Sequence, residues 1–596
     1  MQRRTKIVGV MAAGALVAVT AAACSSSGKP STTSSTATGA STVAFNYGTT
    51  GVVNPSTTKG GTLVLGASSD VDYLDPARQY YAWTWNLERL YGRTVMTYAT
   101  KAGKASTDLV PDMATGAGTV SADGLTWTYH IKSGLKFQDG TTITTKDIKY
   151  AVERTYATDV INGGPGYFQA LLDDSAYTGP YKDKDPNHLG LTSITTPDDT
   201  TITFKLKSPF ADFDYLMTLP QTTPVPQAAD LASATGGANY NTHVIASGPY
   251  EVSTYSPGKE IDFVRNPNWS AATDSVRPAL PDKITLKTDW DPVQLDAAIL
   301  AGQVAVGADG TGAQQATVAT VMGNAAKKKD ADNASANATR YVTIQENVKP
   351  FDNIHCRLAV AYALNKVDLI NARGGPVAGA SIATSLLPPG VSGHTDANLL
   401  PNGSDYKGDV AKAKSELTLC GEPNGFTTVI ATTNKGKGPL FATALQNALN
   451  QVGIKTTIDA VDASSYYSTE IGTPANVSKK GLGLATAGWG PDWPSGYGFF
   501  SQIVDGRQIK ATGNQDYSML NDPQVNSLLD AATKATSKTA ASAIYTQIDN
   551  RVMSDAALIP YGWDRLLLLR SPKATNVYVT SAYNGQYDLV SLGASQ

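Results

Sequence analysis

The stretch FTTVIATTNKGKGPLFATALQNALNQVGIKTTIDAVD, residues 426–462, carries most of the information on fold class. FTTVIATT has the β-branched composition of a strand. PLFATALQNALNQVG then reads as a helix. Pro439 stands at its start, Gly453 at its end, and Phe441, Leu445, Ala448, Leu449 and Val452 fall on one face. IKTTIDAVD is a second strand. A strand, a helix and a strand in this order make a crossover unit with a parallel sheet. A further strand in KGLGLATAGWGPDW, residues 480–493, runs into a Gly-rich and Trp-rich loop.

Upstream the pattern changes. LTWTYHIKSGLKF alternates Leu125, Trp127, Tyr129 and Ile131 against Thr126, Thr128 and His130, and TTITFKLKSPF repeats the period with Ile202, Phe204 and Leu206. Alternation of this kind belongs to half-buried antiparallel strands. Between them, TTKDIKYAVERTYA predicts a helix opened by a Thr144/Asp147 capping box, with Ile148, Ala151, Val152 and Tyr156 as its apolar stripe. GTLVLGASS near residue 61 and KITLKTDW near 283 read as strands, and GPYEVSTYSPGKEIDFVRNPNW as a hairpin turning at Pro257-Gly258. FDNIHCRLAVAYALNKVDLINARGG predicts a helix capped by Asp352 and stopped at Gly374-Gly375. A β-rich part therefore gives way to an α/β part at about residue 345.

With 596 residues the chain has room for roughly three to five structural units. Its 48 basic and 51 acidic residues leave a nearly balanced surface, which excludes a nucleic-acid coat protein. Tyr (28) outnumbers Phe (12), which suits pockets that are apolar on one side and wet on the other.

The N-terminus reads as an address. MQRRTK is basic, IVGVMAAGALVAVTAAA runs for seventeen residues without a charge, and Cys24 follows. That run is just short of the roughly 18–20 residues that span a bilayer. Ala21-Ala22-Ala23-Cys24 resembles a bacterial lipobox, with Ala21 where Leu is usual, which implies a diacylglycerol on Cys24. The alternatives are an ordinary A-x-A cleavage site that leaves a free Cys24, or an uncleaved anchor. The Ser/Thr-rich SSSGKPSTTSSTATGAST, residues 25–42, has no large apolar side chain and is expected to be a flexible tether, extending to about residue 59. The protein is expected outside the cytoplasm, held on the outer face of the membrane. Cys356 and Cys420 either pair there or remain two buried thiols.

Catalytic patterns fail. There is no H-E-x-x-H and no C-x-x-C, so no metal and no cofactor is expected. GVSGH, residues 390–394, misses the G-x-S-x-G elbow at His394, which leaves a secreted hydrolase as a remote reading. The informative loop is GWGPDWPSGYGFF, residues 488–500. In α/β sheets ligands bind beyond the carboxyl ends of strands. Trp489 and Trp493 flank Asp492 there, and aromatic walls around one carboxylate suit a ligand with an apolar body and a cationic end. The plainer alternative is that the two indoles fill a core beneath the loop.

The order of segments resembles the family 5 solute-binding proteins of bacterial ABC importers, the oligopeptide- and dipeptide-binding group. GTLVLGASSDVDYLDPA resembles the first strand and L-D-P loop of that family. ATGAGTVSADGLTWTYHIKSGLKFQDGTTITTKDIKYAVERT resembles its long D-G…G…F…[DN]-G…T-x-x-D signature. SGPYEVSTYSPGKEIDFVRNPNW is similar to its G-P-Y hairpin, and PFDNIHCRLAVAYALNK to its R-x-A helix. The resemblance implies an α/β, class II periplasmic-binding-protein fold, with two lobes around a cleft and an inserted β-rich extra domain. Lobe I would comprise 60–105, 243–345 and 557–596, the insert 106–242 and lobe II 346–556. It also implies that Asp492 of the G-W-x-x-D-[YW] pattern pairs with a peptide's N-terminal ammonium, with Trp489 as a pocket wall. Trp493 replaces a commoner Tyr, and Pro494-Ser495-Gly496 departs from the usual continuation. The implied role is a monomeric, lipid-anchored receptor that captures short peptides and delivers them to a membrane permease. An oligosaccharide or another solute is the alternative cargo.

Overall fold

In the computed structural model, which describes residues 44–174, 176–231, 239–535 and 537–594, two long antiparallel strands, Ala331–Ile344 and Leu558–Leu569, connect two hydrophobic cores. Ala331–Ser335 pairs with Arg565–Leu569, and Thr339–Thr343 with Leu558–Trp563. The register breaks between Ser335 and Thr339, where Asn337 takes a left-handed backbone (φ 46°) that Asn tolerates better than most residues. On one side of this break Ala334, Ala336, Leu566 and Leu568 pack with Leu63, Leu65, Phe263 and Leu286. On the other side Tyr341, Val342, Ile344, Ile559 and Tyr561 pack with Phe441, Leu445 and Leu449. One strand pair thus belongs to both lobes.

The first lobe holds a four-stranded sheet in the order Thr62–Gly66, Lys283–Lys287, Glu260–Arg265, Tyr250–Ser256. The second holds a six-stranded sheet ordered Ala380–Ile382, Leu558–Leu569, Ala331–Ile344, Leu484–Trp489, Thr427–Thr433, Lys455–Val461. Its last three strands are mutually parallel, as the crossover reading requires, with helix Gly438–Asn450 between two of them. A separate antiparallel sheet contains Thr126–His130 and Thr201–Lys205, with Trp127 opposite Phe204 and Tyr129 opposite Ile202. Helix Thr145–Arg154 packs beside it, and both halves of the Thr144/Asp147 capping box form.

Two local expectations are corrected. The helix expected behind Asp352 is capped by Asn353, whose side chain accepts from the His355 N–H (3.0 Å), because Asp352 is engaged by Lys349 at the surface. It also breaks in two, Ile354–Ala363 and Lys366–Ala372. Asn402 and the Asp409 N–H take the carbonyls of Ala361 and Tyr362, and Asn365 caps the second helix. The tether expected to reach residue 59 ends sooner. Gly48 N–H donates to Asp332 (2.8 Å), Val53 is 2% exposed and bridges to Val577, and Asn54 and Ser56 bond to residues near 575. Tyr47 and Val53 are the apolar residues that the earlier Ser/Thr run lacks. Cys24, the leader and the run at 25–42 lie outside the described residues.

Cys356 and Cys420 form a disulfide (Cα–Cα 5.2 Å) between helices Ile354–Ala363 and Val410–Cys420. It closes a segment with a sequence separation of 64 residues. In the chain-entropy account such a loop contributes about 4 kcal/mol. The double variant Cys356→Ser/Cys420→Ser is expected to lose stability of that order in urea titrations while keeping its far-UV spectrum. An unchanged midpoint would show that the bond constrains little of the unfolded chain.

Candidate functional site

The strand Leu484–Trp489 ends at the lobe boundary, and the loop that follows it builds the site. Gly488 and Gly498 must lack side chains. A Cβ on Gly488 would come within 2.5 Å of the Arg340 guanidinium, and one on Gly498 within 3.0 Å of the Trp493 ring and backbone. The chain can then turn closely enough for helix Gly496–Phe500 to start at once, capped by Ser495.

Asp492 is half-buried. Its Oδ2 accepts hydrogen bonds from Tyr167 Oη (2.5 Å) and Tyr80 Oη (3.1 Å). Neither tyrosine lies on the six-stranded sheet: Tyr80 precedes the helix Ala82–Glu88, and Tyr167 opens the short helix Tyr167–Leu171. No basic side chain bonds this carboxylate among the described residues. Burial pushes its pKa up to about 7, and the two hydroxyl donors offset only part of that rise. The same desolvation, reinforced by the neighbouring carboxylate, holds both tyrosines well above their usual value, so they remain donors. Trp489 stands beside them, half-buried and edge-on to Tyr80 (5.9 Å between ring centres). Its indole N–H is buried and has no partner. This side of the loop thus presents a carboxylate without a cation, and an unpaired donor.

Trp493 does something else. Its side chain is 1% exposed and packs among Tyr167 (4.7 Å), Phe210 (6.3 Å), Tyr215 (6.4 Å) and Tyr497 (6.2 Å). Its Nε1 donates to Asp212 Oδ2 (3.1 Å), which also accepts from Ser495 Oγ (2.6 Å). The residue expected as a second wall is therefore a clasp joining the loop to the 106–242 segment. The two indoles lie four positions apart in the chain, and only one is left with an unpaired N–H.

The near-elbow at 390–394 has no triad geometry. Ser392 Oγ accepts from the Gly496 N–H, and His394 Nδ1 faces the Leu387 carbonyl (2.7 Å). Tyr80, Tyr167 and Asp212 were not singled out by the sequence reading. The tyrosine surplus is the one signal in the sequence for the two tyrosines, and Asp212 has none.

Comparison with known proteins agrees with this architecture. Residues 108–511 match the model of the bacterial extracellular solute-binding proteins, family 5. The chain belongs to that family. Its members are solute-binding components of ABC importers that act outside the cytoplasm, on peptides or related solutes. A solved structure titled clavulanic acid biosynthesis oligopeptide binding protein 2 is 42% identical, with a TM-score of 0.86 over 93% of this chain and 99% of that one. The periplasmic binding protein DppA from Helicobacter pylori, solved with the peptide STSA, shares the fold at 20% identity (TM-score 0.74; 91% and 99% covered). The glutathione-binding protein GsiB of Pectobacterium atrosepticum is 27% identical over 77% of this chain and 81% of its own. The family has the class II, two-lobed fold with an inserted domain. Among the described residues no helix is long and apolar enough to cross a membrane.

The raised pKa of Asp492 has a sign that can be tested. Folding takes up a proton at this group between about pH 4, where the unfolded carboxyl titrates, and about pH 7. Its contribution to ligand-free stability therefore falls as pH rises through that window. Asp492→Asn should gain on the parent protein over the same interval, by about 2 kcal/mol at pH 8 after allowance for partial exposure. Urea titrations of both proteins from pH 4 to 8 would give this difference directly. A constant difference would mean that Asp492 is not desolvated.

Proposed function

We propose that this protein is the lipid-anchored receptor of an ABC importer, that it closes its lobes on short peptides, and that it delivers them to a membrane permease. The observation that carries the reading is the cation-free, half-buried carboxylate of Asp492, held by tyrosines from across the lobe boundary. A peptide's N-terminal ammonium supplies the missing charge and favours the ionised carboxylate. It replaces a weak arrangement, an acid poised near neutrality, with a charge-assisted one.

Closure then follows from differential affinity. A ligand that touches Asp492 and Trp489 from one lobe, and Tyr80 and Tyr167 from the other side, is bound fully only when the lobes meet. The break at Asn337 in the shared strand pair is where the two halves pivot. Cys24, after cleavage of residues 1–23, carries the lipid, and the Ser/Thr-rich run keeps the body near its permease while leaving it room to move. The names of the similar proteins, an oligopeptide-binding protein, a protein solved with a tetrapeptide and a glutathione-binding protein, support peptides as the class of cargo.

Titration calorimetry with a panel of di- to tetrapeptides, glutathione and cello-oligomers tests the cargo. N-acetylation of a bound peptide, or Asp492→Asn, should each weaken binding about 100-fold. Affinity for the free peptide should fall tenfold per pH unit below about pH 7, as the carboxyl takes up its proton. Preference for the cello-oligomers, or indifference to acetylation, would remove the peptide reading.

A further inference from the structure

The six-stranded sheet carries a group of polar side chains that the Asp492 site does not use. Tyr341 and Thr343 alternate with Val342 and Ile344 on the strand Ala331–Ile344, and Gln345 continues it through its N–H to the Gly483 carbonyl (3.0 Å). Tyr341, Thr343 and Gln345 therefore project from one face. All three are buried. Tyr341 Oη, Thr343 Oγ1 and both polar atoms of the Gln345 amide have no hydrogen-bond partner among the described residues. On the neighbouring strand Ala487 and Ala485 stand opposite Tyr341 and Thr343, so no long side chain from there fills the space above them.

Asp516 covers the same stretch of strand. The Glu346 N–H donates to the Ser518 carbonyl (3.1 Å), which lays the segment 516–520 against the strand end. Burial holds Tyr341 well above its usual pKa and Glu346 up to about 8, and the Asp516 charge adds to both rises. These two residues are five positions apart on an extended chain, roughly 16 Å. A charge felt by both lies beside the intervening Thr343 and Gln345. Asp516 is itself buried; its Oδ1 accepts from Ser518 Oγ (2.8 Å) and the Leu520 N–H (3.3 Å), while Oδ2 has no partner among the described residues. Burial raises its pKa to about 7, and those donors offset only part of the rise.

The charges around Asp516 do not balance. Arg357 Nη2 bonds Asp555 Oδ1 (2.9 Å) and stands 3.7 Å from Glu346 Oε1, so one guanidinium already serves two carboxyl groups. Two hydroxyls, an amide oxygen and a carboxylate oxygen are the ligand set of a hard cation. Water would satisfy the hydrogen-bonding capacity and leave the acid uncompensated. A proton would compensate the acid and leave the other three groups unpaired, at the full cost of their desolvation. A metal cation answers both needs. With one acid in the set the charge matches a monovalent ion, since calcium sites collect several carboxylates. Such a set also lacks the His and Cys spacing by which metal sites are read from sequence.

We propose that Asp516 Oδ2, Gln345 Oε1, Thr343 Oγ1 and Tyr341 Oη hold a monovalent metal cation, sodium or potassium, inside the second lobe and apart from the solute site. This stands independently of the peptide reading. The ion ties the segment 516–520 to the strand on which Thr339, two residues before Tyr341, pairs with Trp489. It therefore stiffens the sheet that carries the Asp492 loop.

Thermal unfolding of the full chain at pH 8 in sodium, potassium or choline chloride, at a matched ionic strength of about 0.15 M, tests the site. Exchanging choline for sodium or for potassium should raise the midpoint by about 2 °C. The rise should fade as pH falls through about 7, because protons then compete for Asp516. Asp516→Asn should lose the rise yet keep its midpoint in choline, since it removes a desolvated charge; the kept midpoint also shows that it folds. Thr343→Val should cut the rise by about half. Equal midpoints in all three salts would overturn the proposal and leave water as the partner of these atoms. A rise that survives Asp516→Asn would overturn it by placing the ion elsewhere, and so would a rise given by calcium chloride but by neither monovalent salt. If Asp516→Asn does not fold, Thr343→Val decides, and a full rise in that variant removes the site.

Discussion

A carboxylate withdrawn from water without a cation is costly, and the loop after the strand Leu484–Trp489 is arranged around one. Asp492 is held by two neutral hydroxyls, which stabilise it less than a buried ion pair would. The cost is sustained because the surrounding loop is fixed by other means. Trp493 and Ser495 share Asp212, aromatic rings close over the indole, and helix Gly496–Phe500 starts immediately behind. The clasp and the half-buried acid are neighbours in sequence with opposite tasks. One is saturated with partners and sealed, and the other is left short of partners.

Much of the scaffold was legible in the sequence. The crossover unit at 426–462 and the alternating strands at 125–131 and 201–206 follow from apolar periodicity, and a capping box needs two residues three apart. Such features depend on neighbours along the chain. The departures depend on distant residues. The helix after 352 breaks because Asn402 and Asp409 take its carbonyls, and residues 44–59 are fixed because Asp332 and the 574–577 segment receive them. The register break at Asn337 has no sequence mark beyond a residue that tolerates a left-handed backbone.

The site divides in the same way. A Trp and an Asp on a Gly-rich loop after an apolar strand could be read as a pocket, but two indoles four residues apart could not be told apart. Which one is sealed depends on Asp212, 281 positions from Trp493. Tyr80 and Tyr167 carry no local pattern at all. Trp489 meets the shared strand pair only because the strand order places Ala331–Ile344 beside Leu484–Trp489, with Thr427–Thr433 next in line.

That strand order also links charge to motion. Arg340 and Asp564 sit on the two shared strands just beyond the register break, and Trp489 pairs with Thr339 one residue away. On the proposed closure, parting of the lobes would withdraw Tyr80 and Tyr167 from Asp492 and re-expose the carboxylate to water, which would lower its pKa and weaken its preference for an organic cation. On that reading binding and opening would oppose each other through the same few side chains, and release would need only a partner that favours the open form.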